Sequence, residues 1–383
     1  MEQEKYLYIS DKLFPILSSY LNQEETTFEP LSFEDLYSIY RLSKLHNITA
    51  LVYQALKKYK LFQDPKSERP FELVYAQNMK KHILFDRERR ELYAFLQENK
   101  IPFLPLKGIV IAPYYFDSFC REFSDNDILF DKKRAKEVKK YFLAHKFRVE
   151  EYGHGPHDVY MKEPVYNFEM HRFLFGENED TKEFVLYFEN YLKLAKVKFG
   201  YELELSKEDF FIYFTAHTYK HYAISGCGIR TMVDYYLFLM REKELNWDYI
   251  YTELDKIGLK DFALSFVTLT QKVFHKEDLS KEEMESLMYI LTSGTYGTVT
   301  HMVSNKVEQK GKFKYVMYRL FPPIYTYKIM YPWAYASKIG IPLAWFIRLI
   351  RAIFRDPRKI THELHQVKES EGKKEKEQKK AQQ

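Results

Sequence analysis

Two aspartates, Asp125 and Asp127, stand two residues apart in the run Ser-Asp-Asn-Asp-Ile-Leu-Phe. On a strand, side chains alternate with a period of two, so both carboxylates would leave one face. Like charges held that close repel unless something positive sits between them. A divalent cation resolves this, and a hard ion such as Mg²⁺ takes carboxylate oxygens. Lys107 and Gly108 precede the pair, and Arg121 stands just ahead of it. Lys107 would meet a phosphate as a point charge and Arg121 bidentately, or both simply balance the aspartates. Gly108 would let backbone amides approach a phosphate at the start of a helix, or serve as an ordinary tight turn.

These side chains need a frame. The apolar pattern predicts a buried strand over residues 101–106, a turn at 107–108 and a short helix over 109–116. A strand over 126–130 and a helix over 132–145 follow, then strands over 147–152, 159–162 and 166–173. On the last of these Asn167, Glu169 and His171 share a face. Glu169 is therefore the candidate third carboxylate, as metal ligand or general base toward an acceptor hydroxyl. Its bland alternative is a surface glutamate paired with Arg172. His171 either supports Glu169 or is a hydrogen-bonded core histidine.

The flanks read as helical. Residues 5–60 form helices, with Ser32 as an N-cap, and 63–70 reads as a polar, proline-bearing loop. One long helix over 71–99 turns Met79, Ile83, Leu92 and Leu96 inward and Arg87, Arg89 and Arg90 to water. Beyond residue 180 the pattern is helical throughout, and the Lys/Glu/Gln-rich tail has no core of its own. The expected class is α+β, mostly helical: a helical N-terminal lobe (1–100), a small mixed-sheet core (101–180), a helical C-terminal domain (181–365) and a disordered tail (366–383).

Composition excludes several classes. With 13 Gly in 383 residues and no Gly-x-x-x-x-Gly-Lys-Ser/Thr, a P-loop is absent. Cys120 and Cys227 make no disulfide framework or metal motif, which fits a reducing cytoplasm. The first residues lack the pattern of a signal peptide, and no apolar run reaches membrane-spanning length. A net charge of +5 does not by itself point to nucleic acid, and no helix-turn-helix, zinc finger or RNA-recognition motif occurs.

At Leu106-Lys107-Gly108, then Arg121-x-x-x-Asp125-x-Asp127-apolar-apolar, the chain resembles an uncharacterised nucleotidyltransferase family within the polymerase-β-type superfamily. The resemblance continues through Phe168-Glu-Met-His-Arg172, Thr215-Ala-His-Thr-Tyr-Lys-His221 and Arg230-Thr-Met-Val-Asp234, and again at residues 319–323 and 341–345, spanning about 35–355. It departs from the superfamily where Lys107-Gly108 replaces the usual Gly-Ser or Gly-Gly pair. The resemblance implies that Asp125 and Asp127 bind two Mg²⁺ (or Mn²⁺) ions, that Glu169 completes the set, and that a nucleoside monophosphate passes from a nucleoside triphosphate to an acceptor with loss of pyrophosphate. The acceptor could be a small molecule, sugar, protein or nucleic acid. It also places His217, His221, Lys220, Arg230 and Asp234 beside the cleft; a packed helix pair with an internal Arg–Asp contact explains them equally.

Three rival features remain. His154, His157 and Asp158, with His171, invite zinc, but His-x-x-His without cysteine is not a common tetrahedral pattern. Residues 339–354 are apolar with Arg348, Arg351 and Arg355 on one side, and read as a docking helix with a solvated basic edge more than as a membrane contact. The altered Lys-Gly element keeps open a non-catalytic nucleotide- or partner-binding protein.

Overall fold

The computed structural model describes residues 2–153, 155–176, 182–322, 327, 331, 333–334 and 339–355; side chains of residues 2, 3, 182 and 352–355 are not described. The helices are α1 Glu2–Leu21, α2 Phe33–Leu45, α3 Thr49–Lys58, α4 Pro65–Glu98, α5 Gly108–Ile111, α6 Ala135–Ala144, α7 Lys182–Phe188, α8 Tyr191–Leu194, α9 Lys207–Ile224, α10 Ile229–Arg241, α11 Trp247–Asp255, α12 Lys260–His275, α13 Lys281–Ser293, α14 Val299–Lys310, α15 Lys312–Leu320 and α16 Gly340–Arg355. The strands are β1 Phe103–Pro105, β2 Asn126–Phe130, β3 Arg148–Glu151, β4 His157–Lys162, β5 Tyr166–His171, β6 Lys196–Phe199 and β7 Glu202–Glu204. The class is α+β, mostly helical, with one mixed sheet.

The chain divides into two compact units, one of residues 1–219 with 228–295, the other of 220–227 with 296–383. The first holds the whole sheet, in the order β3-β4-β5-β2-β1-β7-β6. β2 runs parallel to β5, and β1 to β7; the remaining pairs are antiparallel. One face is apolar: Phe103, Ile128, Phe130, Tyr160, Phe168 and Met170 pack under Phe85, Leu92 and Leu96 of α4 and Val138 and Phe142 of α6. Alternation then sends Asp127, Glu169 and His171 to the opposite face.

Three readings change. The expected loop at 63–70 is the first turn of α4, because Asp64 and Ser67 form a capping box and Pro65 opens the helix. The stripe that α4 buries is Asn78, His82, Phe85, Leu92 and Leu96, while Ile83 is exposed. And the region beyond 180 is not all helical, since β6 and β7 form a hairpin at the sheet edge, turning at Gly200 with φ +58°.

The polar part of the α4 stripe has a purpose. Asn78 donates to Phe119 O at 2.6 Å, His82 Nε2 lies 2.7 Å from Arg121 O, and Lys81 donates to Phe123 O at 2.7 Å. These contacts fix the segment that delivers Asp125 to the start of β2. Arg121 itself turns inward. Its Nε and Nη2 donate to the two oxygens of Asp234 on α10, at 2.9 and 2.8 Å, and Tyr115 OH donates to Asp234 Oδ1 at 2.7 Å. Arg121, Tyr115 and Asp234 are all buried. Removing one partner of such a pair strands the other charge. Asp234→Ala is expected to cost about 3–5 kcal/mol in denaturant unfolding, and the double replacement Arg121→Met/Asp234→Leu to recover most of it. A loss under about 1 kcal/mol for Asp234→Ala would contradict this.

Candidate active site

The parallel register of β2 and β5 sets Asp127 beside Glu169, with Asp125 just before the strand on the same side. Lys107 Nζ donates to Asp127 Oδ1 at 2.6 Å, and His171 Nε2 lies 2.8 Å from that same oxygen. Glu169 Oε2 sits between two imidazoles, 3.7 Å from His157 Nε2 and 3.8 Å from His171 Nε2. Arg172 is not its partner, because that guanidinium pairs with buried Asp158 behind the sheet.

The charges do not balance. Burial works to raise Asp127, yet Lys107 and the hydrogen bond from His171 outweigh it and hold the group ionised, well below the usual carboxylate range. Burial also opposes the charge on Lys107, and Asp127 more than restores it, lifting the ammonium above its ordinary value. His171 is lowered, chiefly by burial, and so sits neutral. The other two acids pay for this with protons. Burial and then repulsion by Asp127 push Asp125 up to about 6. The same two causes push Glu169 up to about 8. One lysine thus faces three carboxylates.

The site contains polar atoms with nothing to bond. Tyr213 on α9 is fully buried within the field of Lys107, Asp127, Glu169 and Asp125, and its hydroxyl has no hydrogen-bond partner among the described residues. Asn167 Oδ1, on the same strand face as Glu169, is likewise buried without one. Three acidic side chains, two of them raised above the ordinary carboxylate range, and orphaned polar atoms fit a hydrated divalent cation. His157, Glu169 and His171 offer one ligand atom each within 4.8 Å of one another, a donor set that tolerates a softer ion than Mg²⁺.

Lys107 is held in an unusual backbone conformation, φ +43° and ψ −113°, which L-residues rarely adopt. Such strain gathers at functional sites. Gly108 has a different reason from the expected one. A Cβ there would lie 2.6 Å from Arg121 Nη1 and 2.8 Å from the Phe123 ring, so the glycine lets Arg121 pass inward. The helix expected over 109–116 is the single turn α5 followed by a 3-10 turn over Ala112–Tyr114. The amides of Ile109, Val110 and Ile111 are spent on the carbonyls of Leu106 and Lys107, so they are not offered to a phosphate.

The other expected residues scatter. Arg121 and Asp234 bind each other, which removes the phosphate role expected of Arg121. The internal Arg–Asp contact expected between Arg230 and Asp234 uses Arg121 instead. Arg230 donates to Glu122 O at 2.9 Å and lowers Asp125 by its field. His217 lies one turn beyond Tyr213 on α9, with ring centroids 6.1 Å apart, and His221 belongs to the second unit. His154 falls outside the described residues, and Asp158 points away from His157, so that expected quartet does not assemble. Tyr213 was missed, because α9 is apolar on nearly every side and no stripe distinguishes it.

A family model described as uncharacterised nucleotidyltransferase matches residues 34–275. The chain belongs to that nucleotidyltransferase family. The match contains every residue of the acid cluster and ends before the resembling segments at 319–323 and 341–345. No curated protein and no solved structure matches the chain. Among the described residues, no helix is long and apolar enough to cross a membrane.

The displaced proton pKa of Glu169 gives a stability test in the metal-free nucleotidyltransferase. An unfolded glutamate ionises near 4.3, whereas folded Glu169 holds its proton to about 8. Between those values the folded state binds more protons, so stability falls as pH rises. In EDTA, Glu169→Gln is expected to stabilise the protein by about 1–3 kcal/mol at pH 8 and hardly at pH 4. Thermal melts showing the same difference at both pH values would contradict the assignment.

Proposed function

We propose that this protein transfers a nucleoside monophosphate from a nucleoside triphosphate to an acceptor hydroxyl or amine and releases pyrophosphate. The acceptor is a small molecule, a sugar, a protein or a nucleic acid. The observation that carries the reading is the meeting of Asp125, Asp127 and Glu169 on one sheet face with Lys107 as their near cation. Those three carboxylates would hold Mg²⁺ or Mn²⁺. When bound, such ions neutralise triphosphate charge and lower the pKa of a coordinated hydroxyl. The bond that forms joins the acceptor atom to the α-phosphorus; the bond that breaks joins it to the β-phosphate oxygen.

The chain's own groups divide the remaining work. Asp127 stays ionised because Lys107 and His171 hold it so. Glu169, whose proton affinity lies near neutrality, is placed to take the acceptor proton once its own has left. Lys107, at the acid cluster, would meet a phosphate as a point charge, and the buried Tyr213 hydroxyl, with no partner among the described residues, lies in the same field. Arg121 serves by fixing the loop ahead of β2. His171 keeps Asp127 oriented and His157 flanks Glu169.

A second reading, a non-catalytic nucleotide- or partner-binding protein, rests on one contact. Lys107 Nζ already occupies an Asp127 oxygen at 2.6 Å, where a cation would need to bind. One experiment separates the two. The full chain is incubated with each labelled nucleoside triphosphate, Mg²⁺ or Mn²⁺, and a cell extract. Label transfer with pyrophosphate release is expected, faster with Mn²⁺ than with Mg²⁺ because of the imidazoles beside Glu169. Asp127→Asn and Asp125→Asn should lower transfer by about 10²–10³-fold while each stays folded by circular dichroism. Equal labelling by wild type and variants would overturn the site. Nucleotide binding without pyrophosphate release would favour the second reading.

A further inference from the structure

The second unit carries a surface unlike the rest of the molecule. On α16, Ile339 just ahead of the helix and Leu343, Phe346 and Ile350 within it recur three to four residues apart, and all are exposed, Ile339 at 76% and Phe346 at 56%. Their spacing puts them on one side of the helix. On α15, Phe313, Met317 and Leu320, with Phe321 just past its end, repeat the pattern, with Phe313 exposed at 77%. The two helices are locked together. Trp345 Nε1 donates to Leu320 O at 2.7 Å, Arg348 Nη2 donates to Arg319 O at 2.8 Å, and the Phe321 and Trp345 rings stack 5.4 Å apart. Trp333 adds another exposed indole to this unit.

Isolated apolar side chains on a surface mean little, but an exposed apolar stripe on each of two linked helices calls for a partner. The charge says which. α15 and α16 together carry six basic residues, Lys312, Lys314, Arg319, Arg348, Arg351 and Arg355, and no acidic one. A second copy of the chain would set one cationic face against another. Nucleic acid would satisfy the arginines and leave the leucine, isoleucine and phenylalanine side chains in water. An anionic bilayer surface satisfies both, because it accepts apolar side chains below the headgroups and basic ones among them. The 16 residues of α16 rise only about 24 Å, short of the roughly 30 Å hydrocarbon core, so the helix lies along the surface.

We infer that α15 and α16 form a peripheral docking face for membranes rich in anionic lipid. Phe313, Phe321, Leu343 and Phe346 enter the interface, and Lys314, Arg348 and Arg351 meet the lipid phosphates. One side of α16 docks within its unit through Ala344 and Trp345, as the docking-helix reading of residues 339–354 has it; the membrane contact uses the exposed side and stands independently of the nucleotidyl-transfer chemistry.

The test is co-sedimentation of the full chain with vesicles of phosphatidylcholine alone, and with about 30% phosphatidylglycerol, in about 0.1 M salt. About tenfold more protein should pellet with the anionic vesicles, and about 1 M salt should reduce it. Leu343→Asp with Phe346→Asp should abolish pelleting, and Arg351→Glu should weaken it severalfold. All three positions are exposed, so the variants should melt like the wild type. Equal pelleting with both vesicle types, no pelleting with either, or undiminished pelleting of the aspartate variant would overturn the inference. So would heparin or RNA binding without vesicle binding, or a wild-type dimer that the aspartate variant makes monomeric.

Discussion

Three carboxylates meet one ammonium on a largely buried sheet face, and that imbalance governs the first unit. In low dielectric, each added charge must be matched, moved or protonated. Asp127 takes the lysine and the histidine hydrogen bond and stays ionised. Asp125 and Glu169 are left to hold protons that ordinary carboxylates shed. The apo protein keeps a cluster that costs stability and that an incoming cation would relieve. Groups arranged against their own stability in this way are more often kept for chemistry than for folding.

The rest of the unit can be understood as holding that arrangement still. An apolar sheet face packed under α4 and α6 fixes strand register, and register alone decides that Asp127 stands beside Glu169. Asn78, Lys81 and His82 grip the backbone just ahead of Asp125. The buried Arg121–Asp234–Tyr115 network ties the same segment to α10, and Gly108 is the opening through which Arg121 passes. Lys107 reaches Asp127 only from a backbone conformation that glycine would adopt more readily. Its retention there, at a cost of order 1–3 kcal/mol, fits a side chain needed at that point.

Much of this could be read from the chain. Period-two alternation located β2 and β5, and it put Glu169 and His171 on one face. What failed had local causes. The β6–β7 hairpin is short, and β6 is exposed along its length, so it lacks the apolar signal of a strand. The start of α4 hides behind two prolines and a polar run that double as a capping box. Neither role expected of Arg121, phosphate contact or balance for the nearby aspartates, includes its partner Asp234, which lies 113 positions away. Tyr213 sits in a helix whose apolar residues leave no preferred face. Tertiary pairing of charges over such distances leaves no mark on spacing.

The central claim is that burial and repulsion leave Glu169 holding, at neutral pH, a proton that a cation displaces. Calorimetric titration of the protein with Mn²⁺ at pH 7, in buffers of different ionisation enthalpy, reads that displacement directly. Since Glu169 is protonated and Asp125 mostly ionised at that pH, the account predicts release of about one proton per cation bound. Binding enthalpies independent of buffer, meaning no proton released, would contradict it.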